Sequence, residues 1–402
     1  MKNLISVLVL VGLSISAVAQ AESYANICDR GVIGNRIAMA TGASSCQKVS
    51  KRQMAALQEL DAHDAELTEI PANAFQGLSS LQVLQLQANR LTKIPANVFQ
   101  GLSSLQALYL HLNQLTEIPA NAFHGLNSLQ ILSFWHNHIA QIPDNIFEGL
   151  GSLQTLYLSD NRLAQIPVNV FQGLRSLKEL DLKDNQLVQI PANVFEDMSS
   201  LQSLALNGNR LTQIPVNAFK NLSSLQLLAL NNNRLTQVPS NAFLGLGSLQ
   251  ELHLEFNQLT QIQANAFQGL GSLLTLNLES NQLMQIQEYA FQGLNSLQLL
   301  KLDDNRLIQI PTNAFQGLGS LQFLGLADNQ LTQIPTNAFQ GLGSLQQIDL
   351  DRNQLTEIQT NAFQNLGTLR ELFVNGNQIS RISRRHTGLN PLVLIHGAIG
   401  EP

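Results

Sequence analysis

A period of 24 residues runs through the chain from residue 57 almost to its C-terminus, and nothing else in the sequence constrains the fold as strongly. Asn recurs at 89, 113, 137, 161, 185, 209, 233, 257, 281, 305, 329, 353 and 377 without a slip. Phe recurs at 75, 99, 123, 147, 171, 195, 219, 243, 267, 291, 315, 339 and 363, so thirteen of the seventeen phenylalanines stand in one column. One unit reads Leu81-x-x-Leu84-x-Leu86-x-x-Asn89-x-Leu91-x-x-Ile94-Pro95-x-x-x-Phe99-x-x-Leu102. Starting points at 57, 81, 105 and onward to 369 give fourteen units, the last incomplete. A single coil of this kind cannot bury its apolar side alone, whereas a stack can.

Each position has a physical reading. Leu84 and Leu86 alternate with outward residues, the period-two signal of a short strand. Strands from successive coils add side by side into a parallel sheet at about 4.8 Å per strand, roughly 60 Å for the whole array. The Asn leaves the strand and turns inward, where its amide bonds backbone groups that the turn leaves unpaired. Ile94, Phe99 and Leu102 return along the opposite side, and Pro95, without an N–H, fits a leg that has no ladder bonds. The pattern resembles the leucine-rich repeat family, in its 24-residue "typical" subtype, over residues 57 to about 384. The resemblance implies an α/β-type solenoid, a curved horseshoe with a parallel sheet on its concave face and a mostly irregular convex side, used mostly for binding proteins. The cysteine-bearing catalytic domain of injected bacterial ubiquitin-ligase effectors, whose repeats are shorter, has no counterpart here.

The ends depart from the repeat. Lys2, the apolar run Leu4 to Val18 and the small residues of Ala19-Gln20-Ala21 predict a signal peptide over 1–21, cut before Glu22. A membrane anchor is the alternative, but the run is short for a bilayer. The mature chain is therefore expected outside the cytoplasm, in the periplasm, on the cell surface or in the medium. Residues 22–56 precede the first unit and hold the two cysteines, Cys28 and Cys46. Ser50-Lys51-Arg52-Gln53 has capping-box spacing for a short helix carrying Met54 and Leu57. This segment resembles the N-terminal cap of exported bacterial leucine-rich repeat proteins and differs from the four-cysteine cap of animal relatives. The resemblance implies a Cys28–Cys46 bridge, which by loop entropy contributes about 3 kcal/mol. A redox pair is the alternative, but Cys-x-x-Cys spacing is missing. In the first unit Ala62 and Ala65 stand where Leu and Asn would recur. The repeats are expected over 57–384, and 385–402 forms a C-terminal cap or a tail, according to whether Pro391 to Ile395 folds over the last coil.

Composition narrows the function. Charged residues make up 12% of the chain, about half of the roughly 25% usual for globular proteins. A net charge of −6 argues against an electrostatic binder of nucleic acid or of anionic membranes. With no Cys beyond residue 46, the body holds neither a thiolate zinc site nor a cysteine nucleophile. No Gly-Lys phosphate loop, His-Glu-x-x-His helix or nucleophile elbow occurs, so neither an enzyme nor a cofactor is expected.

Residues that vary between units and face outward are the candidates for contact. The only Trp and two of four Tyr, with His111, His136 and His138, fall in three adjacent units. They define an expected ligand-contact patch of Tyr109, His111, Leu112, Trp135, His136, Tyr157 and Asp160, centred on the tryptophan. The histidines with His138 could instead gather a metal with Asp160, but the spacing matches no metal motif, and no metal is expected. A second, acidic zone comprises Glu255, Glu279, Asp303, Asp304, Asp328, Asp349 and Asp351. Stacked carboxylates repel, so calcium, a basic protein surface or the interleaved Lys301, Arg306 and Arg352 must offset them. Between the zones, Ala205, Asn207, Gly208, Ala229, Asn231 and Asn232 form a neutral floor. With the resemblance, these residues predict a bacterial export product that binds a protein partner through its concave face, with no nucleic acid and no membrane insertion; a partner of a host or neighbouring cell is implied by the resemblance alone. A glycan or cell-wall module and a structural envelope protein are the rival readings, and oligomeric state is left open.

Overall fold

The computed structural model of the chain describes residues 27–397, so the expected signal peptide and the last five residues lie outside the described residues. The chain divides into two compact units, Met1–His138 and Ile139–Pro402.

The first unit opens with helix α1 (Gly31–Ala40) and helix α2 (Lys51–Ala56). Helix α1 buries Ile33, Ile37 and Ala38, and Gly34 lets it pass so close to Ile27 that an added Cβ would run into the Ile27 carbonyl. Helix α2 starts at the expected capping box: Ser50 Oγ accepts from the Gln53 N–H at 3.2 Å, and Gln53 Oε1 accepts from the Ser50 N–H at 3.0 Å. Cys28 and Cys46 are disulfide-bonded with their Cα atoms 5.2 Å apart. The segment is fixed to the first coil by Arg30, whose buried guanidinium donates from Nη1 to the carbonyls of Ala74 at 3.1 Å and Gln76 at 3.0 Å.

Strands β1 (Glu59–Asp61), β2 (Val83–Gln85), β3 (Ala107–Tyr109) and β4 (Ile131–Ser133) follow. They pair in parallel with the leucines in register, Leu60 to Leu84 to Leu108 to Leu132. On the other side, Phe75, Phe99 and Phe123 stack with centroids 5.8 and 6.4 Å apart. Phe134 takes the place of Leu86 two coils on, fully buried and tilted against Phe123 at 5.8 Å. The asparagine column is a ladder. Asn89 Oδ1 accepts from the N–H groups of Ala65 and Leu67 at 3.0 and 2.9 Å, and Nδ2 donates to the carbonyls of Ala62 and Leu86 at 2.9 and 3.0 Å. Each Asn thus ties its coil to the preceding one and satisfies buried backbone groups of the turn. The first coil needs no Asn at 65, because Asn89 serves its turn from above.

The second unit repeats the plan from Thr155–Tyr157 to Glu371–Phe373, all parallel. Phe147 to Phe363 stack at 5.6–6.4 Å. A second, two-residue ladder forms on the opposite leg, Gln261–Ile262 with Gln285–Ile286 and Gln333–Ile334 with Glu357–Ile358. It extends where glutamine replaces the column's proline: the N–H groups of Gln287 and Gln359 donate to the Ile262 and Ile334 carbonyls at 3.2 and 3.0 Å. A proline there would have nothing to donate. After the short helix Arg384–Thr387 the chain turns back and Leu394–His396 pairs with Glu371–Phe373, stacking His396 on Phe373 at 4.2 Å. Arg384 holds this return by donating to the carbonyls of Asn390 and Val393 at 2.9 and 3.0 Å.

One backbone feature recurs in both units. The residue before each ladder Asn has a positive φ, whether Ala88, Leu112 and His136 in the first unit or Asp160, Phe256 and Arg352 in the second. This left-handed state is unfavourable for residues with a Cβ and worst for β-branched ones. No Val, Ile, Thr or Pro occupies the row.

Candidate functional site

In each coil the outward positions are the first and third residues of the strand and the second and third residues after it, the residue between (Leu86, Leu110, Phe134) being buried. The strand backbone is fixed by the ladders beneath, so chemistry on the sheet face is set by these side chains alone.

In the first unit, β3 and β4 place three rings together. The His111 imidazole stacks on the Trp135 indole at 4.9 Å with planes 14° apart, and Tyr109 meets the imidazole edge-on at 5.9 Å. The neighbour of Trp135 is therefore His111, with Tyr109 one ring further out. Ser133 lies beneath, 1% exposed, with Oγ 3.1 Å from His111 Nδ1. Burial under the rings pushes the His111 pKa down, which favours the neutral imidazole. Leu112 and His136 occupy the left-handed row at the rim; Leu112 is 36% exposed, and the His136 ring lies 6.1 Å from Trp135. All three rings of the stack remain half-buried rather than covered. In the second unit, Tyr157 is half-buried and its hydroxyl donates to Glu179 Oε2 at 2.9 Å, while Asp160 is exposed in the left-handed row.

The acidic zone of the second unit is answered largely from within the chain. Glu279 takes Lys301 Nζ at 3.2 Å. Asp304 accepts from Ser280 Oγ at 2.8 Å. Asp328 receives a two-pronged bond from Arg352, Nε at 2.6 Å and Nη2 at 2.5 Å, which holds its pKa below the usual value. Asp349 accepts from the Asp351 N–H at 3.0 Å, and burial raises its pKa. Asp351 in turn accepts from the Asn375 N–H at 2.6 Å. Asp303 lies over Gly325, filling the space that a Cβ there would need, and accepts from the Ala327 N–H at 3.0 Å. Burial pushes its pKa up to about 6. Arg306 is in none of these pairs. Among the described residues no group of three or more His, Cys, Asp or Glu side chains could hold a metal ion.

Two residues of this face escape a reading by residue type. Ser133 is an outward strand residue that the rings bury. His253 sits between Glu251 and Glu255, Nε2 to Oε2 at 3.3 Å and Nδ1 to Oε1 at 3.6 Å, and its pKa is raised chiefly by the bond to Glu255. The alternation Glu251-x-His253-x-Glu255 carried the signal, since residues two apart share one face of a strand.

The family model of the BspA type leucine rich repeat region matches residues 140–273 and 260–386, and a general leucine rich repeat model matches 55–115 and 104–163. Among solved structures, a leucine-rich repeat protein of Leptospira interrogans is 31% identical, with a TM-score of 0.70, covering 87% of this chain and 86% of that one. The Toll–Spatzle complex of Drosophila is matched at 25% identity and a TM-score of 0.70, over 84% of this chain and 51% of that one. The TLR13–ssRNA13 complex is matched at 26% identity and a TM-score of 0.67, over 88% and 59%. No protein of curated function matches the chain.

Proposed function

The chain belongs to the leucine-rich repeat family, and from that premise we propose that it is a non-enzymatic scaffold, exported by a bacterium, that binds a protein partner through its sheet face. The observation that carries the proposal is the Tyr109–His111–Trp135 ring stack, half-exposed on a backbone that the asparagine ladder holds rigid. Aromatic side chains on a preorganised surface supply contact area at small cost in conformational entropy, and such residues dominate binding energy at interfaces. Toll, a relative in fold, forms a complex with Spatzle. Another relative is in complex with RNA, but a chain of net charge −6 is ill suited to counting on phosphate contacts. Residues 1–21 serve export in this reading, 22–56 close the N-terminal end of the sheet with the Cys28–Cys46 bridge, and the partner is a protein of a host or neighbouring cell.

The test is affinity capture with residues 22–402 from extracts of candidate partner cells, beside Trp135→Ala. The variant is expected to lose captured partner by at least about thirtyfold, the loss of roughly 2 kcal/mol typical of a hot-spot aromatic, while its melting curve stays that of the parent. A partner retained at parental affinity would overturn the proposal. Stacking of a sugar on Trp135, beside the buried Ser133, is the second reading. A glycan array run with the same two proteins distinguishes it.

A further inference from the structure

The net charge of the chain hides an uneven distribution. Residues 369–397 carry four arginines, Arg370, Arg381, Arg384 and Arg385, against one acid, Glu371, in a chain of net charge −6. The same segment has the most exposed large hydrophobic residue among the described residues, Leu392 at 86%, with Leu394 at 60%. Arg384 and Arg385 line a cavity of about 590 Å³ with Asn365, Gly388, Asn390 and Pro391, and Leu392 is the next residue in the chain. Arg384 is committed to the return loop, whereas Arg385 is exposed.

We propose that this C-terminal end is a docking surface for an anionic phospholipid membrane, with Arg385 beside the cavity meeting lipid phosphate and Leu392 entering the interfacial layer. Cationic and large apolar side chains side by side are the requirement for reversible attachment at a lipid surface, each basic residue adding to the attraction. A second copy placed symmetrically on the same end would set arginines against arginines. A nucleic acid would satisfy the arginines but offer Leu392 and Leu394 nothing apolar to enter.

The test is co-sedimentation of residues 22–402, which lack the apolar N-terminal run but include every described residue, with vesicles of equal phosphatidylglycerol and phosphatidylcholine, and of phosphatidylcholine alone. Binding is expected to the mixed vesicles only and to weaken as salt rises. Arg381→Gln with Arg385→Gln should weaken it about 25-fold, near fivefold per arginine. Leu392→Asn should weaken it roughly tenfold. Trp135→Ala should bind as the parent does, which separates this surface from the sheet-face proposal. Equal binding to both vesicles, no binding to either, or parental binding by the arginine and leucine variants with parental melting curves would each overturn it. So would sedimentation equilibrium showing end-to-end dimers that Leu392→Asn dissolves.

Discussion

The sheet faces of the two units are built on one backbone plan and carry opposite chemistry. On the first, Tyr109, His111 and Trp135 contact mainly one another, and the polar group among them, Ser133, is buried beneath. On the second, between residues 251 and 375, each carboxylate of the acidic zone leans on a neighbour in the next coil, on a backbone N–H or on a basic side chain. A face most of whose carboxylates already have partners, Glu255 Oε2 excepted, has little to gain from a new one, whereas rings that bury only part of their surface against each other still have apolar area to cover. The difference teaches that conspicuous charge is a poorer guide to a contact site than partly covered aromatic surface.

The largest effects should be common to the two units and so test the shared plan. Phe99→Ala and Phe219→Ala each remove a fully stacked ring and should each cost about 3–5 kcal/mol in denaturant unfolding. A cost at Phe99 far below that at Phe219 would break the equivalence of the scaffolds. Next is the acidic side. With its pKa raised in the fold to about 6, Asp303 opposes folding above that pH, and the penalty fades as pH falls toward the ordinary carboxylate value. Asp303→Asn should therefore be more stable than the parent by about 1–3 kcal/mol at pH 8 and no different below pH 4. An equal gain at both pH values would mean that charge is not the cause. The smallest effects are the two histidines, which should respond oppositely. The pKa of His111 is lowered, so its contribution is lost as pH falls below the unfolded value of about 6.5. The pKa of His253 is raised, so its contribution is present below that value and lost as pH rises through the folded pKa. In melting curves across pH 5–8.5, His111→Gln should flatten the acid side and His253→Gln the alkaline side. The same sign for both would dissolve the contrast.

The repeat was legible because its scaffold columns repeat one residue type: Asn, a short amide, both donates and accepts in the buried turn, and Phe fills the far side in both units. The strands and the ladder followed from that, and the capping box at Ser50 from its own four-residue spacing. The rest depended on partners far away in sequence. Arg30 reaches the carbonyls of Ala74 and Gln76 across the first coil, a contact that no local pattern encodes. His111 rather than Tyr109 lies against Trp135 because the register that pairs Tyr109 with Ser133 sets His111 directly opposite Trp135, one repeat on. The left-handed row went unseen because its members share a conformation and not a residue type.

That row sets the rules for redesigning the surface. A library that varies the sheet face can draw freely on polar, aromatic and long aliphatic side chains at positions such as Leu112, His136 and Phe256, since His, Leu and Phe are already accommodated there with positive φ. Its alphabet at those sites should leave out valine, isoleucine, threonine and proline, whose sterics reject the left-handed turn. Glycine would relax the backbone at the price of an anchor. One position per coil is thus governed by torsion before affinity, and a new specificity written on this scaffold must be spelled around it.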